Sequence, residues 1–204
     1  MIVKVCGMRD ADNIREVEAL GVDMMGFIFW PKSSRCVSER PGYLPTQCRR
    51  VGVFVDESME RVERIAREYA LDYVQLHGRE SAEYIRNLKV DCGIIKALNI
   101  ATTDDLKKAE EYSGFVGALL FDTKGKSVGG NGEKFDWSVL DAYDGETPFL
   151  LSGGIGPDDA ERVRTFSHPK CIGIDLNSRF ETEPGLKNVE VLRNFLKQIY
   201  NEQD

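Results

Sequence analysis

Cys6 closes the apolar run IVKVC and Asp122 closes the run GALLFD, so a thiol and a carboxyl each stand at the end of an apolar stretch. A thiolate takes a proton and a carboxylic acid gives one, and such an unlike pair facing one pocket is what a proton-shuffling reaction requires. Period-two alternation puts Val3 and Val5 on one face of the first run and Lys4 and Cys6 on the other, with Cys6 outermost before Gly7 turns the chain. Lys4 either favours the thiolate through its charge or pairs with a carboxylate from another strand. The same alternation groups Ala118, Leu120 and Asp122, and the glycine-rich stretch after Asp122 leaves it no helix to cap.

Gly153 and Gly154, in LSGGIGPDDA, precede a helical segment with Pro157 in its first turn, and GIDLNSRFE follows the last apolar run. Backbone amides exposed before a helix bind anions, so these two segments imply a phosphorylated small-molecule substrate. Arg35, in FIFWPKSSR, offers the planar fork that grips a carboxylate, unless it is simply an exposed arginine. His77 ends the run DYVQLH and either lines the same mouth or packs beneath the loops. His168, before Pro169, reads as a surface residue.

These groups need elements to hold them. Short apolar, β-branched runs at 2–6, 24–29, 50–55, 72–76, 93–98, 117–122, 148–152 and 171–175 read as strands. Segments with helical periodicity lie between them at 10–20, 58–69, 81–88, 102–112, 157–166 and 188–200, several opening on a capping residue. Two further connecting helices, near 37–44 and 136–143, look short or irregular. The alternation predicts an α/β protein, a single (β/α)8 TIM barrel forming one domain over residues 1–204, with a doubly wound open sheet as the alternative. In such a barrel, reactive groups sit at the carboxyl ends of the strands, and phosphate binds the loops after strands seven and eight. The phosphate arc then falls between Asp122 and Cys6, with Arg35 beyond Cys6. The stretch TKGKSVGGNGEK, residues 123–134, reads as a mobile loop.

Composition narrows the function classes. A net charge of −7 gives no basic surface for nucleic acid or anionic lipid. The first residues are too short an apolar run for a signal peptide, and no stretch approaches a membrane span, so a cytoplasmic protein is expected. The five cysteines, Cys6, Cys36, Cys48, Cys92 and Cys171, lack CxxC or Cys/His spacing, so neither a disulfide framework nor a metal site is suggested. An acidic surface with scattered apolar residues fits a monomer or a homodimer.

KVCGMR at 4–9, the FxxxSSR pattern ending at Arg35, VQLHG at 74–78, LFD at 120–122, GGNGEKFDW at 129–137, LSGGI at 151–155 and GIDLNSRFE at 173–181 together resemble the phosphoribosylanthranilate isomerases of tryptophan biosynthesis. The resemblance spans nearly the whole chain. It implies an Amadori rearrangement of N-(5-phosphoribosyl)anthranilate to 1-(o-carboxyphenylamino)-1-deoxyribulose 5-phosphate, without metal or organic cofactor. By resemblance, Asp122 is the general acid that opens the furanose ring to a Schiff base, and Cys6 is the base that removes the proton from the adjacent sugar carbon. Arg35 is assigned to the anthranilate carboxylate, and the loops around Gly153, Gly154, Asp175, Asn177 and Ser178 to phosphate. The chain departs from the family pattern at Asn131, where GGTG is usual, and at Arg179, where glycine is usual. A positive φ at Arg179 would strain the backbone, whereas an extended or helical φ would leave its side chain available as a phosphate contact. The alternatives are another phosphate-binding barrel acting on a related aminosugar phosphate, and a phosphate-ligand-binding barrel without turnover.

Overall fold

The apolar runs form eight parallel strands in the computed structural model, which describes residues 1–123 and 136–201. They are β1 (Ile2–Cys6), β2 (Met24–Ile28), β3 (Arg49–Phe54), β4 (Tyr73–Leu76), β5 (Gly93–Ile100), β6 (Ala118–Thr123), β7 (Phe149–Ser152) and β8 (Cys171–Leu176). Each pairs with its neighbour in sequence, and β1 pairs with β8, so the sheet closes into a barrel with no free edge. The open doubly wound sheet is thereby excluded.

Alternation along each strand sorts the core into two layers. Val3, Val5, Leu119 and Phe121 face outward and pack with Ile14, Val62, Ile65 and Phe195 of the surrounding helices. Met24, Val51, Ile95, Ala97, Ala118, Leu120 and Leu150 fill the interior. Polar side chains, among them Lys4, Gln75, Asp122, Ser152 and Asp175, are also buried, and those at the strand ends form the floor of the open face.

The helices are α1 (Ala11–Glu18), α2 (Met59–Glu68), α3 (Ala82–Asn87), α4 (Thr103–Leu106), α5 (Ala160–Thr165) and α6 (Val189–Tyr200). Asp10, Ser58, Ser81 and Asn188 cap α1, α2, α3 and α6, each accepting from an amide of the first turn. Two expectations change. The segment 102–112 splits into α4 and a 3-10 turn over Lys107–Tyr112, and 37–44 contains no helix at all. Pro41, Gly42 and Pro45 oppose helix formation there, and the chain is instead tied to Glu18, which accepts from the Tyr43 hydroxyl and from the Thr46 and Gln47 amides. Burial pushes the Glu18 carboxyl up, but the Tyr43 hydroxyl and these amides outweigh it and leave it below the ordinary range.

The connection at 136–143 is a 3-10 helix, Trp137–Ala142. A small antiparallel hairpin, β9 (Glu181–Glu183) and β10 (Leu186–Lys187), stands between β8 and α6 and was not expected. Its turn, Pro184–Gly185, uses the positive φ of 88° at Gly185. His168 is half-buried against the rings of Tyr143 and Phe149 and bonds the Tyr143 carbonyl, so it is a packing residue rather than a surface one. Residues 124–134 of the expected mobile loop, including Asn131, lie outside the described residues. Among the described residues no helix is long and apolar enough to cross a membrane.

Candidate active site

A cavity of about 600 Å³ opens at the carboxyl ends of the strands, and Cys6, Arg35, His77, Asp122, Gly153, Gly154, Asp175, Asn177 and Ser178 all line it. The first-strand cysteine lies almost fully buried beside Gly26 of β2, where an added Cβ would come within 2.6 Å of the thiol sulfur. Burial pushes the Cys6 thiol up; Lys4 and Lys187 draw it down, and Asp175 adds to the rise, which wins.

Lys4 resolves into both of its readings. Its ammonium lies 2.6 Å from Asp175 Oδ1, the carboxylate from another strand, and still acts electrostatically on Cys6. Asp175 Oδ1 is taken by Lys4 and Oδ2 accepts from the Ser152 hydroxyl at 3.0 Å, so the carboxylate anchors Lys4 at the floor of the cavity that it lines.

Arg35 is aimed by a residue that sequence reasoning missed. Glu181 on β9 accepts from its Nε at 2.9 Å and from its Nη2 at 2.6 Å, a bidentate grip that raises the guanidinium above its ordinary value. Burial pushes the Glu181 carboxyl up, while Arg35 and Lys187 draw it down to a net lowering. Gly7, with φ 83°, permits this assembly: an added Cβ would lie 2.8 Å from both Arg35 Cδ and Asn177 Oδ1.

Across the cavity, His77 Nε2 lies 3.4 Å from Asp122 Oδ2. Gln75 Nε2 is 3.1 Å from His77 Nδ1, and with the amide donating there the ring carries its proton on Nε2, toward Asp122. Gln75 was also missed, although alternation along β4 puts Tyr73, Gln75 and His77 on one face.

On the phosphate side the two glycines differ. Gly153 has φ 98° and presses on β6, since a Cβ there would lie 2.3 Å from the Thr123 carbonyl oxygen. Gly154, with φ 69°, lines the cavity, and a Cβ added there would meet nothing within 4 Å. Ser178 opens a 3-10 helix, Ser178–Phe180, whose first amides have no intrahelical acceptor. Arg179 also lines the cavity and its φ lies outside the positive region, so the feared strain is absent.

A model for N-(5'-phosphoribosyl)anthranilate isomerase matches residues 3–198. The chain belongs to the phosphoribosylanthranilate isomerase family. A family member from Phocaeicola vulgatus is 50% identical over 200 residues, covering 98% of each chain. A phosphoribosylanthranilate isomerase structure from Thermotoga maritima superposes with a TM-score of 0.82 at 32% identity, covering 98% of this chain and 100% of that one. Another isomerase of the family, solved with reduced 1-(o-carboxyphenylamino)-1-deoxyribulose 5-phosphate, gives a TM-score of 0.80 at 30% identity over 98% of this chain and 100% of its own.

Proposed function

We propose that this chain carries out the family's isomerisation with Asp122 as acid and Cys6 as base, within one barrel domain. The chain is an isomerase of tryptophan biosynthesis, and its substrate is N-(5'-phosphoribosyl)anthranilate. The carrying observation is that an acid and a thiol line the same cavity from non-adjacent strands, together with Gly154, Ser178 and a cation, Arg35.

The roles follow from this layout. Phosphate binds the amides around Gly154 and Ser178, and the guanidinium of Arg179 adds charge there. The anthranilate carboxylate meets Arg35, held ready by Glu181. Asp122 gives its proton to the ring oxygen as the bond from that oxygen to the anomeric carbon breaks, and the anilino nitrogen's lone pair forms the Schiff base. His77 lies beside Asp122 and fixes its direction. The Cys6 thiolate then takes the proton from the adjacent sugar carbon, and the resulting enolamine tautomerises to the ketone. The chemistry needs only proton transfers, so no cofactor is assigned. The five cysteines are all unpaired, as suits the reducing cytoplasm.

The test is loss of phosphoribosylanthranilate followed by fluorescence with purified protein and no added metal or cofactor. Turnover is expected; folded protein without turnover would leave a ligand-binding barrel as the better reading.

A further inference from the structure

The acid–base steps leave a second buried cation near Cys6, besides Lys4, without a part. Lys187, on β10, is 2% exposed. Its ammonium lies 2.6 Å from Glu181 Oε1 and 2.8 Å from Asn177 Oδ1, and 3.4 Å from where a Cβ on Gly7, the residue after Cys6, would stand. A buried ammonium carries a desolvation cost that an apolar residue of similar size would avoid. The hairpin is built to hold it there: β9 supplies Glu181, and the Gly185 amide in the turn bonds Glu181 Oε1 at 3.1 Å.

We propose that Lys187 is a positioning residue for proton abstraction, its ammonium supplying, together with Lys4, the positive field that offsets the burial of Cys6 and eases formation of its thiolate. The inference rests on Cys6 being the base. The groups facing Cys6 can be named element by element. Lys4 comes from its own strand, Asp175 from β8, Lys187 from β10 and Arg35 from the loop after β2, while β2 itself presents the uncharged Gly26. Lys4 is tied to Asp175, which opposes it at the thiol. Lys187 is therefore the cation whose removal changes the balance without stranding Asp175. Its own partner, Glu181, stands behind it and grips Arg35 as well.

The experiment is the pH dependence of iodoacetamide alkylation at Cys6, read from its peptide by mass spectrometry, with kcat and KM measured alongside. Lys187→Met should move the alkylation midpoint up by about one pH unit, lowering kcat near neutral pH about tenfold with little change in KM. Lys187→Arg should restore the midpoint. Lys187→Gln removes the charge while keeping a donor toward Glu181 and Asn177, and Glu181 still has Arg35 as its partner, so this variant covers the case in which the methionine variant folds poorly and its midpoint should also rise. A midpoint unmoved in both Lys187→Met and Lys187→Gln overturns the inference. The thiol titration does not depend on turnover, so a shifted midpoint with full activity in Cys6→Ala would overturn the base assignment instead and leave the field of Lys187 on the thiol standing.

Discussion

Lys4 Nζ lies 2.6 Å from Asp175 Oδ1 with the two side chains 0% and 6% exposed, an ion pair sealed inside the barrel directly below the thiol of Cys6. Removing one partner of such a pair leaves an uncompensated buried charge. Asp175→Asn should destabilise the fold by about 3–5 kcal/mol in urea unfolding, and Asp175→Asn with Lys4→Met should recover much of that loss. Burial lowers the Lys4 ammonium, but Asp175 and Cys6 raise it further, to a net value above its ordinary 10.5. Its share of stability is therefore complete below that ordinary value and is lost as pH rises through the folded one.

Gly153 and Gly154 have the same positive sign of φ but different surroundings. Gly154→Ala should cost about 1–2 kcal/mol of backbone strain in denaturant melts, with kcat largely kept. Gly153→Ala should cost more and lower kcat as well, because the new Cβ would strike the Thr123 backbone, the residue after Asp122.

Arg179 sits at the phosphate end of the cavity without backbone strain. Arg179→Gly should raise KM several-fold, about 1 kcal/mol of binding, with kcat nearly constant. An unchanged or lower KM would remove Arg179 from the phosphate site.

Glu18 replaces a missing helix as the tie for residues 43–48, and its carboxyl is held below the ordinary 4.5. The sign follows from linkage: its contribution is present above the unfolded value and is lost as pH falls through the lowered folded value. Thermal melts of the wild type should lose Tm steeply below about pH 4.5. Glu18→Gln should have a lower Tm at neutral pH and a flatter acid limb.

The barrel was legible because period-two alternation and strand–helix spacing are local properties of the chain. IVKVC and GALLFD announce both a strand and the residue at its mouth. The cavity-lining residues were found for the same reason, since strand ends are readable once the fold is. Contacts between distant segments were not. Nothing local to Glu181 says that it grips Arg35, 146 positions away, and nothing local to Lys187 says that it lies beside Gly7. The absence of a helix at 37–44 was signalled by Pro41 and Gly42, but its replacement by Glu18 was not, because that tie joins α1 to a loop. Asp175 was read at the end of the last strand and, by resemblance, with the adjoining phosphate loop; its bonds to Lys4 and Ser152, from other strands, were not legible.

The division of labour between Asp122 and Cys6 is tested most directly by single-turnover kinetics with phosphoribosylanthranilate on Cys6→Ala and Asp122→Ala. Each should fold, keep affinity for a product analogue within a few-fold, and lose kcat by about two to four orders of magnitude. A Cys6→Ala protein that turns over near the wild-type rate would contradict the account.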